Sequence, residues 1–170
     1  GRLHASSEDP GKLTLKLGAS FFASHARDWV VDYKLNAPSP DILVVPGGNS
    51  AWARQHPEAA LWLRETATRA PLVMSVCTGA IILADLGLLD GLEATTWHGA
   101  LDRLQAAAPT AAVRSDVRFT DNGHIVTTAG ISAGIDGALH VVARLHGADL
   151  ARRTARYMDY DYWLGGAREA

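Results

Sequence analysis

The sequence predicts an α/β domain, a mostly parallel sheet with helices on both faces. Two short apolar runs, "DILVVPGG" at 41–48 and "PLVMSV" at 71–76, end in turn residues, the pattern of strands buried on both sides. Between and after them stand stretches with apolar residues at helical spacing. Alternating units of this kind join parallel strands through right-handed crossovers, which set helices on both faces of the sheet.

The elements follow in order. "KLTLKL" at 12–17 alternates strictly and reads as a half-exposed strand. "HPEAALWLRETATRA" reads as a helix with Pro57 near its start, where a missing N–H does no harm. "AIILADLGLL" and "GALDRLQAAAP" read as two more helices. "VRFTDNGHIVTTA" is a hairpin turning at Asn122-Gly123. "SAGIDGALHVVARLHG" is a long helix stopped by Gly147, and a last helix is expected over 149–160.

At 170 residues the chain is expected to form one domain over 1–170, large enough to bury about two thirds of its unfolded surface. A net charge of −2, with no Lys/Arg run beyond two residues, argues against a nucleic-acid or anionic-membrane footprint on this domain. "RRTAR" at 152–156 reads as a solvated helix face. A single cysteine excludes an intrachain disulfide and favours a reducing, cytoplasmic setting. No apolar run approaches the ~20 residues that span a bilayer, and no signal peptide is visible. The histidines (His4, His25, His56, His98, His124, His140 and His146) are scattered without ligand spacing, so no metal and no other cofactor is expected.

Two strand-to-helix turns present a candidate nucleophile. "GISAG" at 130–134 has the G-x-S-x-G form of a serine elbow. After Ser132 only His140 and His146 could act as base, and both lie along the helix that Ser132 would begin. Ser132 therefore reads as a helix cap, with Gly130 and Gly134 allowing a tight turn. "SVCTG" at 75–79 puts Cys77 at the end of a buried strand and the start of a helix, where the helix dipole favours the thiolate. Gly79 permits close approach, and the N–H groups of Thr78 and Gly48 could converge into an oxyanion site. The pattern leaves two readings of Cys77, a catalytic or redox thiol and a buried small hydrophobe.

"DILVVPGG", "SVCTGAIILADLGLLDGLEATTWHG" and "TTAGISAGIDGALHVVARLHG", in this order and spacing, resemble the ThiJ/PfpI superfamily. The likeness runs from about residue 41 to 160 and is greatest to the isocyanide-hydratase branch and to the amidotransferase-like domains of AraC-type regulators. The resemblance implies a three-layer flavodoxin-like sandwich, usually a homodimer, with Cys77 as nucleophile. It implies that Thr78 contributes its hydroxyl and N–H, that Gly48 donates to an oxyanion, and that Gly130, Ile131 and Ser132 form the pocket wall. The implied partner is a small-molecule substrate or ligand, and the implied chemistry is hydration of isocyanides to N-formamides or attack on reactive carbonyls. The alternative is a ligand-binding or redox-sensing module, the sensor part of an AraC-type regulator.

Two features depart from the family pattern. The family opens with a strand and a loop carrying a Glu or Asp that bonds the cysteine; only Glu8 and Asp9, in "SSEDPG", are available here. The expectation is a sequence lacking that N-terminal first strand. Many members also place a histidine where Trp97 stands, with His98 next to it, so His98 is a candidate base or pocket residue and Trp97 a pocket residue.

Overall fold

Four strands form the main sheet, in the order β1–β2–β6–β5. The computed structural model describes residues 39–161 apart from Asn49, and every structural statement below concerns these residues. The strand expected at 12–17, Glu8 and Asp9 lie outside them.

Strand β1 (Ile42–Val45) runs parallel to β2 (Leu72–Val76), which runs parallel to β6 (Ile125–Thr128). Strand β5 (Phe119–Asp121) closes the order antiparallel to β6, through the expected turn at Asn122 and Gly123. Strand β2 is central, and Leu72 through Ser75 are all buried. That burial on both faces is why its sequence is a continuous run without alternation.

The helices are α1 (Trp52–Gln55), α2 (Pro57–Arg69), α3 (Gly79–Asp85), α4 (Leu101–Ala107), α5 (Ala133–His146) and α6 (Ala148–Tyr157). One core cluster joins Val45, Val73 and Ile125 of the sheet to Ala60, Leu63 and Ala67 of α2, Ile81 and Leu83 of α3, and Leu104 of α4. The opposite face carries Leu72, Met74 and Val126 against Val141 of α5. Helices thus cover both faces in three layers, as the sequence predicts.

Several elements differ from expectation. Helix α3 stops at Asp85, because Leu86 and Gly87 turn back onto carbonyls of its last turn and Gly87 takes a positive φ of 70°. The last helix starts directly after Gly147 and ends at Tyr157. A second, parallel sheet pairs β3 (Glu93–Ala94) with β4 (Ala112–Val113), which no sequence pattern announces. No described helix is long and apolar enough to cross a membrane.

Candidate functional site around Cys77

Strands β1, β2 and β6 run parallel, so the loops after them all emerge at one end of the sheet. Those loops are Pro46–Gly48, Cys77–Thr78 and Ala129–Ser132. The middle one belongs to the central strand, which sets Cys77 between the other two.

Cys77 has φ 56°, in the left-handed region that a side chain enters only at a cost of about 1–2 kcal/mol. Its surroundings hold it there. Its N–H is shared between the carbonyls of Thr128 and Ala129, each at 3.2 Å. Its own carbonyl accepts the buried Thr96 hydroxyl at 2.7 Å and the Ala80 N–H at 3.3 Å. From the β1 side, a Cβ on Gly79 would lie 2.2 Å from the Val45 carbonyl oxygen, and one on Gly47 would lie 2.9 Å from Cys77 Cβ. Glycine at 79 lets the two loops touch, the close approach read from the sequence. A strained conformation fixed from several sides is a feature that clusters at functional sites. Cys77 remains partly accessible, as a working thiol must be and an inert core cysteine need not be.

Thr78 stands at the N-cap position of α3, but its hydroxyl makes no capping bond. It instead accepts the Gly48 N–H at 2.9 Å, and lies 3.3 Å from the Gly48 carbonyl. The structure therefore brings Gly48 and Thr78 together, with the Gly48 N–H held by the Thr78 hydroxyl.

Ser132 stands at the N-cap position of α5, where the sequence puts it, yet it too makes no capping bond. Its Oγ accepts from Arg118 at 3.1 Å. Arg118 also pairs with the buried Asp136 carboxylate, and the Tyr160 hydroxyl lies 2.9 Å from Asp136 Oδ1 and 3.2 Å from the Ser132 carbonyl. Burial, then the hydrogen bond to Asp136, push the Tyr160 phenol above the usual tyrosine range. Ser132 is thus tied into a charged lock, with no histidine at its hydroxyl: His140 instead pairs with Asp121 at 2.7 Å.

Trp97 lies across the site's other flank. A Cβ on Gly130 would fall 2.6 Å from its Cδ1, and one on Gly99 would fall 2.6 Å from its Cη2. Trp97 is 39% exposed, and Ile131, beside Gly130, is 85% exposed at φ 52°. His98 opens a short 3-10 turn, exposed, with its ring 5.0 Å from that of Trp97 and tilted by 57°. No described hydrogen bond joins His98 to Cys77. Thr96 and Arg118 are the supporting residues that sequence reasoning missed. Asp136 carried a signal as the acidic residue inside "GISAGID", and Tyr160 as one of the aromatics of "YMDYDYW" at 157–163, which read as a helix end packing on the sheet, a pocket cover or a dimer partner.

An open cavity of about 490 Å³ lies elsewhere, lined by Arg54, Ile81, Ala84, Asp85, Arg103 and the end of α4. Arg54 and Asp85 pair with each other across it, so it offers no convergent chemistry. No described group of three His, Cys, Asp or Glu residues could hold a metal ion.

Residues 4–144 match the DJ-1/PfpI family. An isonitrile hydratase from Pseudomonas putida is 36% identical over 126 residues, which cover 74% of this chain and 54% of that protein. The HTH-type transcriptional regulator CdhR of Pseudomonas aeruginosa is 31% identical over 150 residues, 88% of this chain and 42% of the regulator. The crystal structure of a ThiJ/PfpI family protein from Pseudomonas syringae superposes with a TM-score of 0.68 at 28% identity, covering 78% of this chain and 55% of that one. The chain therefore spans about half the length of the curated relatives it matches.

Proposed function

Because the chain belongs to the DJ-1/PfpI family, we propose that Cys77 is the nucleophile in hydration or hydrolysis of a small electrophile, concretely an isocyanide hydrated to its N-formamide. The observation that carries this reading is the fixed, strained elbow at φ 56°, which presents one partly accessible thiol between two flanking loops. The similarity to an isonitrile hydratase supports the choice of substrate class.

In the proposed sequence the Cys77 thiolate adds to the terminal isocyanide carbon and that carbon takes a proton, giving a thioimidate. Water then adds across the C=N bond. Expulsion of the thiolate releases the N-formamide and restores Cys77, so the net reaction consumes one water. Thr78 contributes its hydroxyl and N–H beside the thiol. For a carbonyl substrate, the Gly48 N–H becomes an oxyanion donor by exchanging its bond to Thr78 Oγ1. Gly130, Ile131 and Ser132 form the wall, and His98 enters as a pocket residue through its contact with Trp97. A cytoplasmic homodimer without a resident cofactor belongs to this reading, and sedimentation of the full chain tests the dimer.

Cys77→Ala is expected to lower formamide production by about a thousandfold or more, while the melting temperature moves by no more than ~2 °C. Retained turnover in that variant would sink the proposal.

The similarity to CdhR favours a second reading, in which the same crevice binds a metabolite without turning it over. Cys77→Ala separates the two. Compounds that bind equally well to both proteins and are consumed by neither would support the binding module.

A further inference from the structure

We infer that Trp97 determines specificity at the Cys77 site: its indole is a fixed apolar platform that selects electrophiles bearing a flat apolar substituent. The inference rests on the reading of Cys77 as a nucleophile and goes on to name the substrate's other half.

Position comes first. Cys77 is gripped on one side by Thr96, whose neighbour is Trp97, and on the other by Ala129, whose neighbour is Gly130. The indole rests its five-membered ring on Gly130, so it bridges the two segments that bond the Cys77 backbone.

Rigidity is the second point. The six-membered ring lies against Gly99, where an added Cβ would meet Cη2, Cζ3 and Cζ2 at 2.6, 2.7 and 3.0 Å. Two stretches of bare backbone thus hold both ends of one ring. A surface tryptophan usually loses rotamer freedom when a ligand lands on it, and this one has already lost it.

The third point is what the ring leaves open. Although held at both ends, Trp97 keeps 39% of its surface exposed, and Ile131 beside it keeps 85%. The tilted ring of His98 adds a second exposed aromatic ring beside Trp97. None of Trp97, Ile131 and His98 is an anion, so this surface offers stacking and apolar contact to a flat substituent, and the indole face attracts a cation as well. A cyclic or aryl group attached to the reacting carbon's neighbour would land there.

Because Cys77 is the only thiol, alkylation of the folded chain reads the site without requiring turnover. Two reagents share one reacting carbon and differ only in a ring: iodoacetamide and N-phenyl-iodoacetamide. The measured quantity is the ratio of their second-order rates, normalised to the ratio for the urea-unfolded chain. The native ratio is expected to favour the phenyl reagent. Trp97→Ala should lower that preference by about five- to tenfold. Trp97→Leu keeps bulk against the glycines while removing the flat face, and should lose the same preference. Trp97→Phe should keep most of it. A ratio unchanged in the Leu variant overturns the inference even if the Ala variant does not fold. A wild-type thiol that reacts with neither reagent until unfolding overturns the nucleophile reading and this inference together. A reactive thiol with no phenyl preference overturns this inference alone.

Discussion

Ser75 sits on the central strand two residues before Cys77, and its hydroxyl is fully buried without a hydrogen-bond partner among the described residues. Its neighbours in register are Val45 and Thr127. The Thr127 hydroxyl bonds the Thr95 N–H at 2.8 Å and Thr120 at 2.8 Å instead of Ser75. An orphaned buried hydroxyl costs about 1–3 kcal/mol in lost solvation. Ser75→Ala removes the orphan and only one heavy atom of packing, so the variant should be as stable as the parent or more stable by up to ~1 kcal/mol. Urea titration of both proteins measures the difference, and a loss above about 1 kcal/mol would reveal a partner for that hydroxyl.

The N-terminus of α5 shows what an element can carry beyond its own sequence. Ala133–His146 packs on β2 and β6, and its first turn is tied by Asp136 to Arg118 before β5 and to Tyr160 after α6. Three segments distant in sequence thus meet at the turn bearing Ile131 and Ser132. Tyr160→Phe removes one hydroxyl from this lock and should cost about 1 kcal/mol. Asp136→Asn removes the buried carboxylate that faces Arg118 and should cost about 3–5 kcal/mol. Equal effects in denaturant titrations would mean that the hydroxyl, and not the charge pair, holds the turn. None of this was legible beforehand, because a lock closed by three distant residues leaves no periodicity. The strands and helices were legible, since β1 is apolar throughout, β2 is apolar but for Ser75, and Asn122-Gly123 marks the hairpin turn. The strands β3 and β4 were not, because two residues are too few to alternate. They are held by backbone pairing and by Asn122, whose side-chain amide bonds the Glu93 carbonyl at 2.9 Å. The position of Cys77 could be read from the strand-to-helix turn, whereas its left-handed φ follows from contacts with β1, β6 and Thr96 that only the fold creates.

At the scale of the whole molecule, Asp121 links the sheet edge to α5, bonding His140 at 2.7 Å and Arg144 at 3.0 Å. Burial raises its carboxyl, but the hydrogen bonds from His140 and the Gly123 N–H, with the charge of Arg144, outweigh burial and hold it below the usual aspartate range. A carboxyl held low when folded stabilises the fold above its unfolded value, near ~3.9, and loses that contribution as the pH falls through its folded value. Asp121→Asn should therefore be less stable at pH 7 by about 1 kcal/mol or less, solvent screening keeping the figure small. The gap should close as the pH drops below about 3.9. Chemical denaturation of both proteins at neutral and acidic pH tests this, and a gap equal at both would refute the ionic role.

The order β1–β2–β6–β5 also dictates when the thiol's surroundings come into being. The hairpin of β5 and β6 joins neighbours in sequence and can close early, whereas β2 must find partners far away on both sides before it is complete. The elbow exists only once β1, β2 and β6 are all aligned. During synthesis and refolding, then, Cys77 is an ordinary exposed cysteine, open to oxidants and to mixed disulfides, until the last long-range pairing turns it into a shaped site.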